Sequence, residues 1–351
     1  MNEREQQVLD ALERRRRLKP KLRDELVNLA HGAGGKATHD LVEALFLAEL
    51  GNATGDAAIL PGQLAVTTDS FVVKPLFFPG GDIGELAVNG TVNDLAMVGA
   101  RPLGLTAGFV VEEGFPVADL RRIAASVRAA ADAAGVSVVA GDTKVVERGK
   151  ADGVFITTAG VGLLDREPDL SPGRVVPGDR VLVSGTIGDH GIAVMVARGG
   201  LELETDLESD TASLNGLVET LLDALGPGLR WLRDPTRGGV ATTLNELALD
   251  AELAVVLEES ALPIRPAVAG ACEILGLDAL YVANEGKLVA VVSADAAETA
   301  LAVLRGHALG SEAAIVGEIR ESPAGMVFLE TAFGGSRVVD MLVGDPLPRI
   351  C

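Results

Sequence analysis

The sequence predicts two α/β domains in series. In both halves, short apolar runs bounded by glycine, aspartate and proline alternate with longer amphipathic stretches, so strands and helices take turns. A stretch rich in proline, aspartate and glycine at residues 165–174 separates the halves. The 351 residues suffice for two hydrophobic cores.

Composition narrows the function. The chain is 48% hydrophobic and 23% charged, which is ordinary for a soluble globular protein. It has 42 glycines, where about 25 would be usual. They fall in short loops, which suits turns that approach a ligand closely. A net charge of −20 excludes a surface that tracks nucleic-acid phosphates. Aromatic residues make up 3%, too few for base-stacking platforms. An acidic protein that handles nucleotides does so through a divalent metal. No apolar run is long enough to span a membrane, and the charged start lacks the apolar core of a secretory signal. The two cysteines, Cys272 and Cys351, form no metal-binding spacing and fit a reducing cytoplasm.

Residues 1–28 read as an amphipathic helix carrying Arg14-Arg15-Arg16-Arg17, a solvated extension. His31-Gly32-Ala33-Gly34-Gly35-Lys36 then opens a helix from Thr38, the expected N-cap, to about Leu50. A glycine loop there suits an anion. Ala37 departs from a Walker A loop, however, and a plain turn explains the stretch nearly as well. Strands are expected at 56–60 and 64–70, a loop at 77–81 and a helix at 82–98. A strand at 103–111, a helix at 117–134 and a strand at 137–140 follow, the last delivering Gly141-Asp142-Thr143-Lys144. A strand at 153–162 closes the first domain.

The second domain opens with a strand at 180–184, a glycine loop at 185–191 and a helix at 192–197. An acidic loop at 202–210 and a helix at 211–225 follow, and Asp234-Pro235 signals another helix start. A strand at 254–257, a helix at 268–275 and the turn Asn284-Glu285-Gly286-Lys287 come next. A strand at 288–292, a helix at 294–306 and a strand at 314–319 complete the domain. The chain ends Asp345-Pro346-Leu347-Pro348-Arg349-Ile350-Cys351. Two prolines there rule out a helix or a central strand, leaving a flexible arm with a sulfur at its tip. Arg349 would favour the thiolate. The parts are an extension and glycine loop at 1–38, domains at 39–165 and 172–335, and the arm at 336–351.

Asp56, Asp69, Asp94 and Asp142 each lie at a strand end or in a helix of small apolar residues. Singly, each has an alternative as a cap or turn residue. Four acids brought together would repel one another unless a cation were present. Hard oxygen ligands favour Mg²⁺, and Mg²⁺ favours a nucleoside triphosphate such as ATP.

Over essentially all of residues 29–351 the chain resembles the HypE family of hydrogenase expression/formation proteins. The resemblance rests on residues 31–36, 67–70, 75–81, 93–95, 141–146, 184–191, 234–240 and 284–287, and on Pro348-Arg349-Ile350-Cys351. That family belongs with aminoimidazole ribonucleotide synthetase, selenophosphate synthetase and thiamine-phosphate kinase. The resemblance implies an N-terminal domain that forms a barrel-like homodimer core, and a C-terminal α/β sandwich. It implies ATP-dependent dehydration of a carbamoyl group on Cys351 to a thiocyanate, which supplies the cyanide ligand of [NiFe] hydrogenase. The partners implied are the carbamoyltransferase HypF and an HypC–HypD iron scaffold. Cys351, Lys144, Glu285 and Asp94 would be catalytic, with Glu285 as base. Asp56, Asp69, Asp94 and Asp142 would hold Mg²⁺ and phosphate. Lys144, Asp189, Asp234 and Arg237 would contact the nucleotide. Cys272, in an apolar helix, reads as core. The alternatives are a small-molecule kinase or synthetase of the same superfamily, which needs no thiol at residue 351, and an ATP-sensing scaffold.

Overall fold

The computed structural model describes residues 24–32, 34–50, 56–166, 168–199, 205–342 and 349–351. The expected first helix lies mostly outside them, and residues 24–28 are not helical.

The first sheet has five strands in the order β1-β2-β7-β5-β6. They are β1 (Ala58–Leu60), β2 (Leu64–Phe71), β5 (Arg101–Glu112), β6 (Val138–Val146) and β7 (Val154–Leu163). Between β2 and β5, β3 (Phe77–Phe78) and β4 (Gly81–Asp82) form a small hairpin. Only β5 and β6 run parallel. Helix α1 (Lys36–Leu41) precedes the sheet and continues through a π turn at Val42–Leu47. Its N-cap is Gly35. Thr38 is no cap residue, because its hydroxyl turns back to take the Gly34 N–H at 2.9 Å.

Two helices cover this sheet. α2 (Ile83–Met97) is capped by Asp82, whose Oδ1 accepts from Gly84 and Glu85 N–H. Its Gly, Ala and Val content leaves it apolar on nearly every side, so it is enclosed almost all round. α3 (Val117–Ala134) buries one face, Ile123, Val127, Ala130, Ala131 and Ala134.

The second sheet has seven strands, ordered β14-β13-β10-β12-β8-β11-β9. These are β8 (Arg180–Val183), β9 (Leu229–Arg233), β10 (Ala254–Glu258), β11 (Val289–Val292), β12 (Ala314–Arg320), β13 (Met326–Glu330) and β14 (Ser336–Val339). Only β10 and β13 are parallel. The helices are α4 (Asp189–Ala197), α5 (Asn215–Leu225), α6 (Gly239–Ala251), α7 (Pro266–Leu275) and α8 (Ala297–Gly306).

Several elements differ from the sequence-based expectation. β9, β13 and β14 were not foreseen, because each is short and carries charged or small residues that blur the alternation. β14 pairs with β13, so residues 336–339 belong to the sheet and not to the arm. β6 runs on through Gly141-Asp142-Thr143-Lys144, held by parallel pairing with β5. α6 starts at Gly239, five residues beyond Asp234, because Asp234–Gly238 forms a tight loop instead. Among the described residues neither sheet closes into a barrel.

One core joins the two domains. Phe71, Ile83 and Leu86 share a cluster with Ile192, Val194 and Val268, and Ile350 of the arm is inserted among them. Burying a side chain of that size contributes about 2 kcal/mol. Among the described residues, no helix is long and apolar enough to cross a membrane.

Candidate active site

Three carboxylates from three elements meet at the domain boundary. Asp56 precedes β1, Asp94 lies on α2 and Asp234 follows β9, and oxygens of all three lie within 4.8 Å of one another. The Thr67 hydroxyl is 2.7 Å from Asp94 Oδ2 and 2.8 Å from the Asp56 carbonyl, which ties β2 to both. Arg233 Nε is 2.7 Å from Asp56 Oδ1 and is the cation nearest the group. Burial pushes Asp94 well above the usual carboxylate range, and the charges of Asp234, Asp56 and Asp69 push it further. Burial also raises Asp56, against the pull of Arg233. Asp234 is raised to about 6 by burial. This is a negatively charged pocket short of cations, the donor set that a hard divalent metal satisfies.

Asp69 on β2 and Glu285 extend the group. Burial raises both, and each feels Arg237 as a counter-charge. Glu285 is 3% exposed, and its Oε1 has no hydrogen-bond partner among the described residues. Its backbone is fixed: the N–H donates to Asp210 Oδ1 at 3.0 Å and the carbonyl accepts from Asn93 Nδ2 at 3.3 Å. Gly286 permits this, since a Cβ there would lie 1.7 Å from the Asp210 carbonyl. Asn284 ties the neighbouring loops together, accepting from Gly188 N–H at 2.7 Å and donating to the Pro235 carbonyl at 3.0 Å. Arg237 is held protonated first by the charge of Cys351, then by Asp69, Glu285 and Asp94. Gly34 packs on this loop: at φ +78°, it has the Arg237 backbone where a Cβ would sit. His31 itself is buried, and its Nδ1 accepts from Asn28 N–H at 3.1 Å, a structural role.

Cys351 lies beside the strand that carries Asp69. The last three residues lie along Val72–Lys74: Val72 N–H donates to the Cys351 carbonyl at 3.0 Å and Lys74 N–H to that of Arg349 at 3.2 Å. The Arg349 side chain goes to Asp152 and donates to the Val72 carbonyl. The other cysteine, Cys272, is buried on α7 and its thiol is pushed up to about 11, which leaves it unreactive.

The remaining expected residues stand apart from the carboxylate group within the chain. Asp142 and Lys144 lie on β6, each side chain 68% exposed, and Lys144 Nζ is 2.6 Å from Asp142 Oδ2. That contact lowers Asp142 below its ordinary value. Asp189 lines a different cavity of about 300 Å³ with Asp210, Arg265 and Lys287. The sequence reading missed Asn93, Asn284, Asp210 and Arg233. The first two adjoin Asp94 and Glu285, and that adjacency was the available signal.

Comparison with known proteins identifies the family. The AIR synthase related protein N-terminal domain matches residues 54–164, and the corresponding C-terminal domain matches residues 176–330. The chain is similar to the carbamoyl dehydratase HypE of Bradyrhizobium diazoefficiens, with 53% identity covering 94% of this chain and 97% of that one. A crystal structure of a HypE–HypF complex aligns with a TM-score of 0.83 at 51% identity, over 86% of this chain and 99% of that one. A crystal structure of the hydrogenase maturation protein HypE in complex with ATP aligns with a TM-score of 0.80 at 47% identity, over 93% and 100%.

Proposed function

The chain belongs to the AIR synthase related family and, within it, to the HypE carbamoyl dehydratases of hydrogenase maturation, and on that footing we propose that it uses ATP to dehydrate a carbamoyl group on its own Cys351. The observation that carries this reading is the seating of Cys351 against Val72, at the end of the strand that carries Asp69, where its charge acts on Arg237.

ATP is needed because an amide oxygen leaves poorly and phosphate leaves well. The oxygen of the S-carbamoyl group forms a bond to the γ-phosphorus as ADP departs. The carbon–oxygen bond then breaks, both protons leave the nitrogen, and phosphate and an S-cyano cysteine remain. Glu285 suits the proton transfer: it is buried, one oxygen is unengaged among the described residues, and its proton affinity is raised. Arg237 supplies fixed positive charge where phosphoryl oxygens gain negative charge. A site closed over ATP would exclude water, which would otherwise hydrolyse the intermediate.

Asp56, Asp94 and Asp234 fit a magnesium ion, since three hard oxygen donors lie close together and burial favours their neutralisation. When bound, the ion would link these carboxylates to the ATP phosphates and offset their charge. Asp69 flanks that position.

Asp142 and Lys144 enter through a second copy. β6 ends its sheet with most residues exposed, Val139 and Val145 each at 69%. An apolar exposed edge strand is normally covered. Pairing β6 between two copies would make the barrel-like core and present Lys144 of one chain to the acids of the other. Light scattering is expected to give a dimer, and an active monomer would count against it. The carbamoyl group would come from HypF, and the cyano group would pass to an HypC–HypD iron complex in a reducing cytoplasm.

Intact-mass spectrometry of the protein tests the reaction. After incubation with ATP and the carbamoyl donor system, carbamoylated Cys351 is expected to lose one water. A carbamoyl adduct that persists would reject the reading.

A further inference from the structure

We infer that His190 and Arg198 are positioning residues that hold the 349–351 segment so that Cys351 stands in the active site, an assignment that rests on the reading of Cys351 as the bearer of the reacting group. They stand at the two ends of α4: His190 in its first turn and Arg198 as its C-cap. At a spacing of i, i+8 they share one stripe of the helix. Each takes one backbone carbonyl of the segment. His190 Nε2 is 2.9 Å from the Ile350 carbonyl, and the Arg198 guanidinium donates to that of Arg349.

The His190 contact has a fixed sense. A carbonyl can only accept, so Nε2 carries the proton. Nδ1, 2.8 Å from Ser209 Oγ, must then accept from that hydroxyl. Ser209 Oγ in turn accepts from the Thr211 N–H at 3.1 Å. The ring is fully buried, stands edge-on to Phe78 with centroids 5.6 Å apart, and is kept neutral chiefly by burial. Arg198 completes the grip from the other end, since its Nε donates to the Lys74 carbonyl at 2.6 Å, on the backbone against which the segment lies. Arg349 is held at φ +57°, a left-handed conformation that a non-glycine residue keeps only when its surroundings impose it. Polar contacts to backbone carbonyls, with Ile350 as the apolar anchor, suit a segment that must be held and later released.

The test reads exposure of the thiol, without turnover. In a Cys272→Ala background, Cys351 is the single thiol, and its alkylation by iodoacetamide is followed by mass spectrometry. His190→Ala and Arg198→Ala are each expected to speed alkylation on the order of tenfold, as loss of one such buried hydrogen bond allows. His190→Gln, whose amide N–H can occupy the place of Nε2, is expected to restore the slow rate. Alkylation unchanged in both alanine variants, or equally fast in His190→Gln and His190→Ala, would overturn the assignment. If His190→Ala does not fold, Arg198→Ala carries the same reading. Alkylation needs neither ATP nor carbamoyl donor. A wild-type tail that is protected yet never cyanated would therefore reject the proposed function and leave the positioning role standing.

Discussion

Asp94 and Asp142 end in opposite surroundings. Asp94 lies on a helix enclosed between the two domains, beside Asp56 and Asp234. Its carboxyl is driven up by burial and by its neighbours' charge. Asp142 lies on the edge strand β6, in solvent, and Lys144 drives it down. The first region is complete within one chain and strained by its own charge, which a cation would relieve. The second is relaxed and exposed, and its side chains act on the first only if another surface carries them there. The single chain thus gathers Asp56, Asp94 and Asp234 at its domain boundary and leaves Asp142 and Lys144 exposed on an edge strand.

The largest expected effect comes from the enclosed half. Asp94→Asn should lower kcat/KM on the order of a thousandfold while raising the melting temperature of the metal-free protein, because a buried like charge is removed. Activity loss with destabilisation would mean that Asp94 is instead a structural ion-pair member. Next, Lys144→Ala should cost on the order of a hundredfold in kcat, with stability within about 0.5 kcal/mol of wild type, as at other exposed sites.

Mixing sharpens the comparison further. Lys144→Ala and Asp234→Asn chains are each inactive in this reading, yet an equal mixture should recover about a quarter of wild-type activity, since half of randomly formed dimers contain one intact site. No recovery would place both residues in one chain's site.

A smaller effect separates the two regions by pH. Asp234 is raised to about 6, so the metal-free protein should lose stability as pH rises from about 4 through 6. A divalent ion needs the ionised carboxylates, so the thermal shift produced by Mg²⁺ should grow over the same window. Asp142, lowered by Lys144, should add nothing to that dependence. A Mg²⁺ shift that is flat between pH 5 and pH 7.5 would disprove a carboxylate-held ion. The smallest expected effect is on folding of the exposed strand: Val139→Lys should leave the melting temperature of the monomer nearly unchanged while weakening dimerisation, measured by light scattering.

The sequence marked Asp56, Asp69, Asp94 and Asp142 because each lies at a strand end or in a helix of small apolar residues, whereas Glu285 was marked only by the family resemblance. It marked both domains, since alternation of strand and helix is a local pattern. It missed β9, whose Leu229-Arg230-Trp231-Leu232-Arg233 has no clear period, and it began α6 too early at Asp234-Pro235. In both places tertiary packing overrides the local signal: Arg233 turns to Asp56 and Glu246, and the 234–238 loop is held against Asn284.

What the sequence determined alone was which groups are available: acids with hard oxygen donors, glycine loops and a thiol at residue 351. The tertiary structure decided which acids meet, and it set Asp234 with Asp56 and Asp94 while leaving Asp142 on an open edge. It also decided that the 349–351 segment lies inward, gripped from the two ends of a helix that the sequence reading begins only at residue 192, beyond His190. The reason is physical: residue identity sets what a group can bind, but burial, charge state and proximity arise from chain segments far apart in sequence.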